Sequence, residues 1–149
     1  MPVSTFNIRV YGILINNNNQ VLITDELIKG TKITKFPGGG LEFGEGTIDC
    51  LKREFMEETN NRVEVVEHYY TTDYFQVSAY NPSHQIISIY YIVKPVDDFI
   101  ISIKQNQFDF DTAINEVQTF RWLDLKEISE HHFTLPIDKL IGSKLRENA

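Results

Sequence analysis

Cysteine, positive charge and long apolar runs are all scarce in this chain of 149 residues. Its one cysteine, Cys50, cannot form an intrachain disulfide, and such sparing use indicates a reducing compartment. Lysine and arginine number 14 against 21 aspartates and glutamates, which gives a net charge of -7. This balance argues against a general nucleic-acid binder, which would present a basic face to the phosphate backbone. A small nucleotide is still allowed as a substrate, because a bound metal ion can reverse the local charge.

Signals for export or membrane insertion are also missing. No apolar run approaches the roughly 20 residues that span a bilayer. The N-terminal MPVSTFNIRV has neither a basic n-region nor a continuous apolar stretch, so we expect no signal peptide. A soluble cytoplasmic protein without membrane contact is the expectation. Because 42% of the residues are hydrophobic and no repeat or linker is visible, residues 1–149 should form a single domain.

The hydrophobic pattern predicts a mixed α/β domain. Alternation over residues 5–15 predicts a strand with Phe6 facing the core and Tyr11 facing outwards, and the asparagines at 16–19 predict a hairpin turn to a second strand, VLIT. A helix is predicted over residues 48–59, and a second one covers 136–146. Further strands are predicted at KITKFPGGG, where the glycines end the strand, and at RVEVVEHYYTTDYF, QIISIYYIVKPV and EVQTFRWLDL.

The predicted helix over 48–59, with Thr47 as its N-cap, carries an acidic face beside its apolar one. At about 100° per residue, Glu54, Glu57 and Glu58 share one arc. Like charges four residues apart repel each other, at a cost of roughly a few tenths of a kcal/mol. Crowded carboxylates suit a hard divalent cation, and magnesium typically takes one or two of them together with waters and phosphate oxygens. Taken alone, the helix also fits a solvated acidic face.

A glycine-rich segment precedes this helix. Its glycines let the backbone turn sharply and approach a ligand closely. The segment is no P-loop, because Glu45 and not lysine follows Gly44, and it matches neither a G-x-G-x-x-G motif nor an EF-hand loop.

The segment instead resembles the Nudix box, G-x5-E-x7-R-E-U-x-E-E-x-G-U, where U is a bulky apolar residue. Gly39, Glu45 and the run Arg53-Glu54-Phe55-Met56-Glu57-Glu58 match it in register. Two positions depart from the motif, since Asn60 replaces a glycine and Asn61 replaces an apolar residue. Asparagine is the mildest exchange at position 60, because it tolerates the left-handed conformation.

The resemblance extends beyond the box. It includes the predicted hairpin at residues 5–24, the P-G-G entry to the box, and Glu116 ahead of Trp122-Leu123, which resembles the family's E-x5-W-L segment. It implies an α+β fold of the Nudix type, an α/β/α sandwich with a central mixed β-sheet. Many family members are dimers, so the resemblance also allows a homodimer.

The resemblance further implies hydrolysis of a nucleoside diphosphate linked to another moiety, X, by attack of water on a phosphorus. Magnesium would be the cofactor, with manganese as the alternative ion. Glu57 and Glu58 would be metal ligands, Glu54 a ligand or the general base, and a carbonyl of Gly38 or Gly39 would complete the coordination. ADP-ribose, nucleotide sugars and nucleoside triphosphates all stay open as substrates.

The resemblance also implies a structural ion pair of Glu45 and Arg53 that ties the loop to the helix. The remaining candidates have weaker support, and each could instead be an ordinary surface or packing residue. Glu116 would be an additional ligand or base, and Arg9 and, more weakly, Lys35 would bind phosphate. A nucleotide base could stack on an aromatic residue of the set Tyr11, Tyr74, Phe75 and Tyr80. Cys50 is better explained as a buried small residue than as a nucleophile.

Two other functions use the same fold. A non-catalytic nucleotide sensor usually has a broken box and an attached DNA-binding module, whereas every acidic position of the box is intact here. An isoprenyl diphosphate isomerase would require a cysteine and metal ligands outside the box.

Overall fold

The computed structural model describes residues 2–149, over which seven strands and two α-helices follow one another. In chain order they are β1 (Thr5–Leu14), β2 (Gln20–Ile28), β3 (Thr31–Lys35), β4 (Gly38–Gly40), α1 (Thr47–Thr59), β5 (Val63–Thr71), β6 (His84–Pro95), β7 (Gln118–Asp124) and α2 (Pro136–Glu147). One sheet has the order β4-β1-β6-β5 and the other has the order β3-β2-β7. The predicted mixed α and β class is confirmed. Across residues 2–149, no helix has the length and apolar character to cross a membrane.

The predicted hairpin of the first two strands is wrong. β1 belongs to the four-stranded sheet, whereas β2 pairs with β3 and β7. Where the hairpin was expected, Ile15 and Val21 form an isolated bridge, and the Asn16 amide donates to the Gln20 carbonyl. The glycines that were predicted to end a strand also form one themselves, because Gly38–Gly40 pairs antiparallel with β1.

The described residues form two compact units. The first contains residues 2–13 and 37–99, and therefore holds most of β1 with β4, α1, β5 and β6. The second contains residues 14–36 and 100–149, and holds β2, β3, β7 and α2.

In the first unit, α1 packs closely on the sheet through its apolar face. Leu51 and Phe55 are fully buried as predicted, but Ile48, on the margin of that face, is 43% exposed. Gly12 of β1 permits the close approach, since a Cβ there would lie 2.5 Å from the Phe55 ring. A side chain at position 12 would therefore push the helix off the strand.

The two sides of β1 are not divided as the alternation predicted. Phe6 is 68% exposed, whereas Tyr11 is buried with its ring 5.2 Å from that of Tyr90. From Val10 to Leu14, the four residues other than glycine are all buried. Alternation marks a strand with one solvated face, and it fails where both faces are covered.

The ends of α1 confirm one prediction and correct another. Gly46, and not Thr47, is the N-cap, and the Thr47 hydroxyl instead lies 2.7 Å from the hydroxyl of Tyr91. Asn60 takes the left-handed conformation as predicted, with φ 55°, and its amide donates to the Met56 carbonyl. Asn61 closes the end with a 2.7 Å hydrogen bond from its side-chain amide to the carbonyl of Thr59.

In the second unit, α2 contributes a buried apolar stripe, Ile137, Ile141 and Leu145. The unit also encloses a charged pair that the hydrophobic pattern does not reveal. Asp25 has no exposed surface, and it accepts hydrogen bonds from Arg121 Nε at 2.6 Å and Nη2 at 2.9 Å.

We predict that Asp25→Asn lowers the free energy of unfolding by about 3–5 kcal/mol, because Arg121 would keep a buried charge without its carboxylate. Denaturant unfolding followed by circular dichroism measures the change. Arg62→Ala is the control, since its pair with Asp97 has both side chains more than 60% exposed and should change stability by no more than about 1 kcal/mol. Equal effects of the two substitutions would contradict the prediction.

Candidate active site

The acidic face of α1 lies against the glycine strand β4. Gly39 pairs with Val10, and a Cβ at Gly39 would lie 2.5 Å from the carboxyl carbon of Glu54. The Gly38 amide donates to Glu58 Oε2 at 3.1 Å. Two of the three predicted glutamates therefore approach the backbone of β4, and the absence of a side chain at position 39 makes this approach possible.

Arg53 connects the helix to the segment before it. Its guanidinium forms a bidentate pair with Glu45, with Nη2 2.6 Å from Oε1 and Nε 2.9 Å from Oε2. Nη1 donates to Glu54 at 2.9 Å and reaches Glu57 at 3.3 Å, and Nη2 also donates to the Gly40 carbonyl at 3.1 Å. Glu54 and Glu57 thus converge on one nitrogen, and the predicted pair of Glu45 and Arg53 is present.

These contacts shift the titration of both partners. Hydrogen bonds from Arg53 lower the pKa of Glu45 from 4.5 to about 2, more than burial raises it. The hydrogen bonds with Glu45 raise the pKa of Arg53. Both groups therefore stay charged at neutral pH, and the arginine offsets part of the repulsion among the carboxylates.

Access to solvent differs between the glutamates. The side chain of Glu57 is 58% exposed, whereas that of Glu54 is 16% exposed. Glu57 can therefore exchange its contact with Arg53 for one with a solvated ion, while Glu54 is held in a fixed position against Gly39.

The donor set fits a magnesium-sized cation that shares its coordination with a ligand. Within residues 2–149, no three histidine, cysteine, aspartate or glutamate side chains are arranged to enclose a metal by themselves. Magnesium requires no such cage, because it uses one or two carboxylates and completes its shell with waters and phosphate oxygens. The carboxylates of Glu54 and Glu58, which lie against the backbone of Gly39 and Gly38, are oxygen donors of this kind.

Comparison with known proteins identifies the family. The family model described as NUDIX domain matches residues 5–141. The chain belongs to the Nudix hydrolase family. The matched residues include the whole segment from Gly39 to Asn61 that resembles the Nudix box.

Solved structures share the Nudix fold with this chain. A NUDIX hydrolase from Nitrosomonas europaea is 19% identical and has a TM-score of 0.69, with 99% of this chain and 90% of that chain covered. The MutT protein from Methanosarcina mazei Go1 is 19% identical with a TM-score of 0.70, over 97% and 96% of the two chains. An ADP-ribose pyrophosphatase from Streptococcus suis 89-1591 is 12% identical with a TM-score of 0.58, over 95% and 87%.

Arg9 lies beside the Nudix box, on the strand that pairs with β4. It is opposite Gly40, and its Nε donates to the Tyr11 hydroxyl at 2.9 Å. Because side chains alternate along a strand, Arg9 lies on the sheet face opposite the one that meets Glu54. The register thus places Arg9 next to the glycine strand and on the other face of the sheet from the acidic helix.

The other two charged candidates belong to the second unit, and each has an ionic partner there. Lys35 is buried, with Nζ 3.1 Å from Glu26 Oε2. Glu116 lies 3.7 Å from Lys104 Nζ and accepts a hydrogen bond from the Asp111 amide at 3.0 Å.

The uncharged candidates differ in their exposure to solvent. Cys50 is buried as predicted, and burial raises the pKa of its thiol to about 12, which leaves it protonated and unreactive at neutral pH. Of the proposed stacking residues, Tyr11 is buried in the sheet, while the exposed ones are Tyr74, Phe75 and Tyr80.

Two hydrogen-bond acceptors near the site were not expected from the sequence. The Gly40 carbonyl accepts from both Arg53 and the Cys50 thiol, and the Tyr11 hydroxyl, which was considered only as part of a stacking residue, accepts from Arg9. The third glycine of the run was a sequence signal for the Gly40 acceptor, and the i, i+2 spacing of Arg9 and Tyr11 was a signal for their contact.

We predict that Arg53→Met raises the pKa of Glu45 from about 2 towards its ordinary value of 4.5. A carboxylate with a lowered pKa stabilises the fold fully above pH 4.5 and loses that contribution as the pH falls towards 2. The stability difference between wild type and variant should therefore shrink over this range. Carbon NMR of the carboxyl group and denaturant unfolding at several pH values measure the two effects. A wild-type Glu45 that titrates near 4.5 would contradict the assignment.

Proposed function

We propose that this protein is a magnesium-dependent Nudix pyrophosphohydrolase, which hydrolyses the diphosphate linkage of a nucleoside diphosphate linked to X by attack of water on phosphorus. The observation that carries the proposal is the approach of Glu54 and Glu58 to the backbone of Gly39 and Gly38. An acidic helix that was merely solvated would not require a strand without side chains beside it. We place this activity in one cytoplasmic Nudix domain over residues 1–149.

The proposed roles are those that the Nudix box implies, and the position and exposure of Glu54 and Glu57 support them. Glu57 and Glu58 are the proposed metal ligands, together with a carbonyl of Gly38 or Gly39. Magnesium bound there would neutralise the diphosphate oxygens and lower the pKa of a water molecule. Glu54, held against Gly39 and largely shielded from solvent, is the best placed carboxylate to take a proton from the attacking water.

The other charged residues take supporting roles in this proposal. Glu45 and Arg53 fix the segment before the helix. Arg9 is a weaker candidate for binding a phosphate next to the glycine strand, because it lies on the other face of the sheet from the acidic helix. Glu116 is a further ligand or base. Lys35 is the weakest candidate, because its ammonium already pairs with Glu26 inside the second unit.

The substrate class is a small nucleotide with a diphosphate linkage, for which ADP-ribose, a nucleotide sugar and a nucleoside triphosphate are the alternatives. The solved structures that share the fold include a MutT protein and an ADP-ribose pyrophosphatase. Both names are compatible with the proposed chemistry at the diphosphate.

We expect magnesium-dependent release of phosphate-containing products from at least one of these substrates, and its loss in Glu57→Gln. Product release is measured over a substrate panel with and without magnesium. Glu64→Gln is the control, because its carboxylate is 57% exposed and pairs with Lys94 outside the box. Tight binding of one panel member without any turnover would reject hydrolysis and favour a nucleotide sensor.

Glu54→Gln should distinguish a base from a ligand. If Glu54 is the general base, the substitution lowers kcat by about 10²- to 10⁴-fold and leaves the magnesium concentration for half-maximal activity unchanged. If Glu54 is a ligand, this concentration rises, as it should in Glu57→Gln. Magnesium titrations of kcat for the two variants and for Glu64→Gln decide between these roles. Unchanged kinetics in Glu54→Gln would exclude both.

A further inference from the structure

The long segment between β6 and β7 is fixed to the second unit by the buried carboxylate of Asp25. Besides Arg121, Asp25 accepts a hydrogen bond from the Thr34 hydroxyl at 2.7 Å and one from the Phe108 amide at 3.3 Å. The side-chain amide of Gln107 donates to the same Thr34 hydroxyl at 2.9 Å. This segment, which includes the 3-10 helical turn Thr112–Ile114, is therefore held at Gln107 and Phe108 by hydrogen bonds to the buried residues Thr34 and Asp25.

Phe108 has an unusual backbone conformation at this anchor. Its φ is 56°, in the left-handed region that bulky residues rarely adopt. Among residues 2–149, the other non-glycine positions with positive φ are three asparagines and a lysine, Asn19, Asn60, Asn115 and Lys29. Asparagine would fit position 108 with less strain, so a role for the aromatic ring is needed to explain the phenylalanine.

The surroundings of Phe108 indicate what this role is. Its half-buried ring lies 6.3 Å from that of Phe110, with 34° between the planes. Lys32, which is exposed, has its ammonium over the face of the Phe108 ring, 5.9 Å from the ring centre. Two neighbouring rings with an exposed cation over one of them match a ligand that combines a flat aromatic ring with a negative charge.

We propose that Phe108 and Phe110 form a stacking site for the base of a nucleotide, with Lys32 facing its phosphate. The choice of ligand rests on the proposed function, whereas the position rests on the strained phenylalanine and the buried Asp25 that holds it. The hydrogen bond to Asp25 comes from the Phe108 backbone, so the side chain can be changed without removing the anchor.

Phe108→Asn is the decisive variant, because it relieves the left-handed strain and removes the ring. We expect a melting temperature equal to or above that of wild type and a dissociation constant for AMP raised by about 5- to 150-fold, the range for loss of one base–aromatic stack. Binding of ribose 5-phosphate, which has no base, should stay unchanged. Calorimetric titration without metal measures the binding of both ligands.

Two further variants complete the test. Phe108→Tyr keeps the ring and should bind AMP as wild type does, and Phe6→Ala removes an exposed phenylalanine in the first unit and should also bind normally. A lower melting temperature with unchanged AMP binding in Phe108→Asn would make Phe108 a packing residue and overturn the proposal. Magnesium-dependent turnover, measured on the same preparations, shows whether the proposed hydrolysis stands or fails independently.

Discussion

The guanidinium of Arg53 is the group on which the arrangement around α1 depends. It is bound to the segment before the helix through Glu45, to the glycine strand through the Gly40 carbonyl, and to the acidic face through Glu54 and Glu57. A planar group with five donors can serve these partners together, whereas a lysine ammonium has only three donors and no fixed plane. The same cation thus sets the position of the loop and limits the repulsion that the clustered carboxylates create.

Local features of the fold were predictable from sequence where short-range chemistry decides them. The end of α1 at Asn60 and the burial of Leu51 and Phe55 follow from left-handed capping and helical periodicity. The hairpin of β1 and β2 failed because strand alternation and turn residues do not specify which strand becomes the neighbour. Tyr11 was assigned to the wrong environment because its strand passes from a half-exposed to a fully covered position within a few residues.

The parts of the site whose residues are close together in sequence could be predicted, and the parts whose residues are far apart could not. The box residues lie within one helix and the segment before it, so their register in the sequence already brings them together. Asp25 is 96 residues from Arg121 and 83 residues from Phe108, and Gln107 is 73 residues from Thr34. Nothing in a polar side chain of a strand indicates that it will be buried. The left-handed conformation of Phe108 could not be predicted for the same reason, since the hydrogen bonds that hold this segment to Asp25 and Thr34 form only in the tertiary fold.

The strand Gly38–Gly40 has a consequence for how this site responds to mutation. Its part in the site consists of backbone groups and of space, so the usual truncation of a side chain has nothing to remove there. A change at Gly39 acts by adding atoms, and even the single carbon of alanine would meet the carboxylate of Glu54. In a mutational scan, the smallest residues of this region should therefore be among the least replaceable, with intolerance increasing with the size of the new side chain.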